Sequence, residues 1–280
     1  LWLDASNTSS YSSGTIWYDL SGNGRNATIN SNQTFLTQNG GVFQFNGTAN
    51  PMLLTKVTSA TSEISMSAWV FITPGTTQGA FIKNGASLGN TFGAGGGGGF
   101  CAGTFPGMLL AGQSWLGSNS PTANFSSGWQ LCTMVISGSS PTSYKYYING
   151  TLANTATFSS PLAPDGSYTA LGDNYGDGGG CTPFNSKMGA AYFYTKALSV
   201  SEILQNYNAS ASRFGLANIY GYTSNTITTT VNAGPSGTLT ALGDGCINKT
   251  TLSTATGQTS YAWYKDNVAI SGATSNTYVP

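Results

Sequence analysis

The apolar positions of this chain fall in short runs separated by turn residues, and only one stretch has helical spacing. Trp2 and Leu3 start a strand, Thr15 to Tyr18 brings the chain back, and Val42, Phe43 and Phe45 mark another. Ile64, Met66, Trp69 and Phe71 mark the next strand, which continues as Ala68 to Ile72, and Trp129 to Ile136 is apolar almost throughout. Asn149-Gly150 between Tyr144–Ile148 and Thr151–Phe158 predicts a hairpin with a two-residue turn. Met188 to Tyr194 is apolar at nearly every position, which suits a strand buried on both faces. Ser199 and Glu202 form a capping box, and Val200, Ile203, Leu204 and Tyr207 then make one stripe, so a short helix lies against the sheet. The pattern predicts an all-β sandwich with a single short helix near its C-terminal end.

Composition narrows the class of partner. Only 6% of the 280 residues are charged, His is absent and the net charge is zero, so the chain lacks the basic stripe that nucleic acid or an anionic membrane requires. No apolar run approaches the roughly 20 residues needed to span a bilayer. Low charge, abundant aromatics and glycine-rich loops fit an extracellular protein, and a start at Leu1 reads as a mature or trimmed piece of something longer. The eight Asn-X-Ser/Thr sequons are about the number chance gives in so Ser- and Thr-rich a chain, and they say little of the source.

From Arg213 the character changes. Residues 216–223 read as a linker, and 224–280 as a second β domain with Cys246 placed 17 residues before Trp263. That is the spacing of a B-strand Cys and a C-strand Trp in immunoglobulin-like sandwiches.

Both ends of the first 215 residues carry motifs with specific order. F-N-S-K-M-G-A-A-Y-F-Y-T-K-A-L-S-V-S-E-I-L-Q-N-Y-N (184–208) resembles the closing segment of laminin G-like domains of the concanavalin A-like lectin superfamily. Trp17-Tyr18-Asp19-Leu20-Ser21-Gly22-Asn23-Gly24 with Asn26 resembles their opening segment, and the Trp129 strand followed by "YYING" is a further match. The resemblance implies a jelly-roll β-sandwich over residues 1–215. "YAWYKDNVAISGATSNTY" is similar to the immunoglobulin-like modules of secreted Bacteroidetes adhesins, with only part of a module in residues 224–280. Together these resemblances imply a non-enzymatic, cell-surface binding or adhesion module of a longer chain that recognises glycan or protein through loops at the sandwich end. The alternative they imply is a structural subunit of a surface filament or virion fibre.

Glycoside hydrolases share this superfamily and need two carboxylates flanking the bond. Here the only Glu residues are Glu63, which stands alone, and Glu202, which the helix cap uses; without His there is no Ser-His-Asp or Cys-His system. Asp19 with Asn23, and Asp173 with Asn174 and Asp177, lie in glycine-rich turns. Their oxygens either converge on a hard cation or bond their own turns. Laminin G-like domains bind calcium in such loops, so the resemblance implies calcium as cofactor. Where many relatives carry F-D-G-x-x-D this chain has Phe45-Asn46-Gly47-Thr48-Ala49-Asn50, whose amides add no charge, so a cation there binds weakly. Trp115 and Tyr175, set among turn residues, either stack on sugar rings or plug the end of the sandwich.

Four cysteines complete the candidate chemistry. Cys132 sits within an apolar strand and reads as a buried free thiol. Cys101 and Cys181 each follow a glycine-rich run, and an oxidising setting allows a bond between them that closes a loop of about 80 residues, contributing roughly 4 kcal/mol. Cys246 is left to pair outside this stretch. Peptide mapping without reductant is expected to find Cys101 joined to Cys181 and Cys132 free; Cys132 in a disulfide, or Cys101 alkylated without reduction, overturns the assignment.

Overall fold

The computed structural model describes residues 1–58, 62–73, 79–85, 90–95, 105–109, 115–117, 125–138, 142–158, 166, 168–173, 183–219, 240–242, 251–257 and 260–280. The chain divides into two compact units, Leu1–Gly221 and Tyr222–Pro280.

The first unit is built on strands β1 (Trp2–Asp4), β2 (Ile16–Trp17), β3 (Ala27–Thr28), β4 (Gln33–Leu36), β5 (Val42–Phe45), β6 (Met52–Thr55), β7 (Ile64–Ile72) and β8 (Gly79–Asn84). They are followed by β9 (Asn90–Gly95), β10 (Phe105–Leu109), β11 (Trp115–Gly117), β12 (Gly128–Ser137), β13 (Thr142–Ile148), β14 (Thr151–Phe158), β15 (Tyr168–Leu171) and β16 (Lys187–Tyr194), with one α-helix, α1 (Val200–Asn208). Among the described residues they form two antiparallel sheets. One runs β14-β13-β12-β7-β16-β5-β4 with β1 also on β16, and the other runs β11-β10-β9-β8-β15-β6-β3-β2. This is an all-β jelly-roll sandwich.

The first sheet is the middle of three layers. β7 lies between β12 and β16, in register from Gly128↔Ile72 to Ile136↔Ile64 on one side and through Ala190↔Trp69 on the other. Side chains alternate across it. Met66, Ala68 and Val70 face the second sheet with Phe43, Phe81, Phe92 and Phe184, whereas Trp69, Trp129, Leu131 and Ala190 face outward under α1 and the 3-10 turn Ala211–Phe214. That is why β16, at the centre, needs apolar residues on both faces. The capping box of α1 forms, with Ser199 Oγ accepting from Glu202 N–H and the Glu202 carboxylate accepting from Ser199 N–H. Ile203 and Tyr207 are buried, but Val200 is exposed: it lies in the first turn, at the rim of the contact. Trp69 stacks on Phe214 at 4.3 Å and on Tyr207 at 5.8 Å, and its indole N–H donates to Ser210 Oγ at 2.8 Å, so the sequence-distant helix docks on one aromatic anchor.

Arg213 closes the unit. Its Nε–H donates to Asn39 O, its two terminal nitrogens donate to Asp4 Oδ1 at 2.7 Å and to Gly41 O and Gly189 O, and its guanidinium lies over Phe214. The approach is close enough to require glycine. A Cβ on Gly189 would stand 2.7 Å from the Phe214 ring, and one on Gly41 would stand 2.2 Å from Ala5 O.

Among polar residues of the second sheet, Asn84 and Thr169 are fully buried and bonded to each other, and Asn84 Nδ2 donates to Thr58 O. Cys132 faces the core as a free thiol, and burial pushes its pKa up to about 12. Cys101, Cys181 and Cys246 lie outside the described residues.

In the second unit, β17 (Thr240–Leu242), β18 (Thr251–Ser253) and a later strand, Thr277–Tyr278, form one small sheet. Tyr264–Lys265 and Val268–Ala269 form a hairpin through Asp266-Asn267, both at positive φ. Trp263, the residue that an immunoglobulin-like C strand would bury, is half-buried, and its indole N–H donates to Ser275 O.

Replacing Arg213 with Ala removes a hydrogen-bonded, largely buried cation and strands Asp4. The expected cost is about 3 kcal/mol, or a fall in Tm of roughly 6–12 °C for a unit this size. Calorimetry that finds a shift within 2 °C or so would show that the fork is dispensable.

Candidate binding site

The turn after β2 holds Asp19 and Asn23. Asp19 Oδ1 accepts the backbone N–H of Trp2 at 2.9 Å and of Ser21 at 3.0 Å; Oδ2 accepts Ser21 Oγ–H at 2.8 Å and the Arg25 N–H at 3.2 Å. Asn23 Nδ2 donates to Ser21 Oγ. Burial alone would raise the carboxyl pKa, but the donors from Trp2, Ser21 and Arg25 more than offset it and hold the group below its ordinary value. As arranged, N–H and O–H hydrogens point at both oxygens, and a calcium ion would have to displace them to coordinate there. The same carboxylate covers an edge. Leu20 N–H donates to Trp2 O and Ser10 Oγ accepts the Asp4 N–H, so the outer rim of β1 is bonded along its length.

Of the other residues the sequence nominated, Asp173 is buried just after β15, and Trp115 opens β11 on the second sheet. The side chain of Trp115, and Asn174, Tyr175 and Asp177, lie outside the described residues. Among the described residues no three His, Cys, Asp or Glu side chains gather as a metal would require.

A different set does converge. Trp2 and Asp4 of β1 alternate onto the outer face of the first sheet, as do Tyr192 and Tyr194 of β16, and α1 rises beside them. Between strand and helix lies a cleft of about 490 Å³, lined by Trp2, Asp4, Ser21, Tyr192, Tyr194 and Asn206 among others. Trp2 is 43% exposed, an unusual position for an indole. Asp4 Oδ1 accepts from Arg213 and from Ser6 N–H and Oγ–H, while no described group bonds Oδ2. Asn206 Nδ2 donates to Tyr194 Oη at 3.0 Å, which leaves the phenolic proton free to be donated. Burial raises the pKa of Tyr192 and of Tyr194, so both phenols stay protonated donors near neutral pH. Sequence reasoning missed this cleft because its walls come from opposite ends of the unit. The local signals were present: period-two alternation in Trp2/Asp4 and Tyr192/Tyr194, and the helix spacing of Asn206 and Ser210.

With this geometry in place, residues 46–204 match the laminin G-like family of the concanavalin A-like lectin/glucanases superfamily, and the chain belongs to that family. No curated protein matches the chain. Among solved structures it is similar to the receptor-binding domain of botulinum neurotoxin type G, with 18% identity and a TM-score of 0.51 over 75% of this chain and 50% of that one. The binding domain of Paraclostridial mosquitocidal protein 1 gives 13% identity and a TM-score of 0.52 over 92% of this chain and 65% of that one. The binding domain of botulinum neurotoxin DC in complex with rat synaptotagmin II gives 13% and 0.53, over 74% and 51%. The chain thus spans between half and two thirds of these structures, and at such identities the likeness is one of fold.

Asp19→Ala removes four hydrogen bonds from a half-buried carboxylate and is expected to cost about 2 kcal/mol, or roughly 4–8 °C in Tm. A carboxyl whose folded pKa is depressed stabilises the fold above its unfolded value, about 3.9, and loses that contribution as pH falls through the folded value. Asp19→Asn should therefore flatten the acid limb of a Tm against pH curve. The calcium expectation is tested by the same variant: a fall in Tm on chelation that is present in the wild type and absent in Asp19→Ala assigns calcium to this turn, and equal melting with and without chelator removes it.

Proposed function

We propose that this chain is a non-enzymatic binding module of a larger extracellular, cell-surface protein, recognising glycan or a surface protein and working beside neighbouring domains of the same chain. The observation that carries the reading is the cleft beside β1. It combines an exposed indole with donors and acceptors held by rigid strands and a helix, which is the make-up of a recognition site. The similar folds described above are toxin binding domains, and the proposal takes the same use of the fold for this chain. No helix among the described residues is long and apolar enough to cross a membrane.

The state of the described carboxylates supports binding over hydrolysis. Glu202 is pulled down to about 2, chiefly by the Lys196 ammonium and then by the N–H and hydroxyl of Ser199, so it cannot serve as a general acid near neutral pH. Asp4 is engaged by Arg213 and Asp19 by its turn. Glu63 is exposed at the start of β7.

The expected outcome is saturable binding of the isolated chain to a glycan array or to cells, with no release of reducing sugar from a panel of polysaccharides. Sugar release that disappears on replacing Glu63 or Asp173 would make the chain a hydrolase. An absence of binding on both arrays and cells, together with self-assembly into fibres, would favour the structural-subunit reading.

A further inference from the structure

The binding reading leaves open which surface binds and what chemistry it takes. The cleft between β1 and α1 answers both, on grounds separate from the loops at the sandwich end. Its volume of about 490 Å³ lies inside the roughly 300–1,000 Å³ range of small-ligand sites. The positions of Trp2, Asp4, Tyr192 and Tyr194 are fixed by the β1·β16 register, Trp2↔Tyr192 and Asp4↔Ala190, and Asn206 is fixed by a helix anchored on Trp69. Such a cleft is already formed without its ligand.

Resting on the proposal that the chain is a binding module, we infer that this cleft binds a neutral saccharide ring, with the indole of Trp2 as the platform. Two observations select this class. The one carboxylate in the cleft, Asp4, is compensated by Arg213 at 2.7 Å, and the Leu1 ammonium that also lines it donates to Phe193 O, so neither charge stands unpaired for a free ion. The remaining groups come as both donors and acceptors. Asp4 Oδ2 and the Asn206 side-chain carbonyl accept, and the phenolic proton of Tyr194, whose oxygen accepts from Asn206 Nδ2, is available to donate. A sugar hydroxyl needs both kinds of partner, because it donates once and accepts twice. The apolar C–H face of the ring covers the exposed indole, removing apolar surface from water on both sides.

The competing ligand for an aromatic-walled cleft with a carboxylate is a quaternary ammonium group, which would want the face of each ring and an uncompensated negative charge. The Arg213 pair weighs against it.

The test uses the full chain, calorimetric titration with the methyl glycosides of glucose, galactose, mannose and N-acetylglucosamine and their short oligomers, and choline as the cationic control. At least one neutral glycoside is expected to bind saturably and choline not to bind. Trp2→Ala and Asn206→Ala should each weaken binding about tenfold or more, equivalent to about 1.4 kcal/mol, and Trp2→Phe should recover part of it. Ala209→Trp, which fills the cleft from the exposed helix end, should abolish binding while leaving Tm near the wild-type value, so the result does not depend on one variant's folding. Saccharide binding that survives Trp2→Ala, Asn206→Ala and Ala209→Trp overturns the assignment of this cleft while the binding-module reading stands. Choline binding, or binding to a protein ligand with no glycoside bound, overturns the ligand class. Failure of every probe on arrays and on cells overturns the binding-module reading itself.

Discussion

The first unit depends on a single guanidinium that fastens its last segment to its first. Arg213 reaches Asp4 across 209 positions of sequence and also takes up carbonyls of Asn39, Gly41 and Gly189. Five N–H donors in a planar fork suit several fixed acceptors at once, which a single ammonium cannot match. The geometry around it is expensive to change, because Gly41 and Gly189 admit no side chain there. With the fork in place, β1 is held on β16 and the Ala211–Phe214 turn is held over Trp69 and Trp129.

From that closure follows the three-layer build. A sandwich of two sheets would leave the outer face of β7 and β12 wet. Here Trp69, Trp129 and Leu131 on that face are covered by Tyr207, Ala211 and Phe214. A second patch, Val135 and Tyr147 with Leu198 and Ile203, extends the cover along α1. One short helix suffices because the aromatics beneath it are large, and each brings more apolar area than an aliphatic residue would.

Much of this was legible along the chain. β7, β12 and β16 announce themselves as unbroken apolar runs, the α1 cap as Ser199 and Glu202, and the β13–β14 hairpin as Asn149-Gly150, both of which take positive φ. Those signals are local, and local chemistry fixes them. The site was not legible in the same way. Asp19 stands in a turn rich in Ser, Asn and Gly, and nothing in that composition reveals that the N–H of Trp2 arrives from 17 residues away. Trp2 reads as a strand residue whether its indole packs inward or stays open, because burial is decided by what lies opposite, and here that is the far end of α1. Val200 misled for the converse reason: helical spacing places it on the stripe, while the first turn of the helix overhangs the sheet.

The cleft is bounded on one side by the earliest residues of the unit and on the other by nearly its last. During synthesis Trp2 and Asp4 emerge long before Tyr192 or Asn206, so the pocket has no partial form and cannot capture anything until the sandwich is closed. A molecule bound there as proposed would bridge the two walls. Because β1 and α1 form opposite walls, such a ligand would add contacts between the two ends of the unit beyond those of the β1·β16 pairing and Arg213.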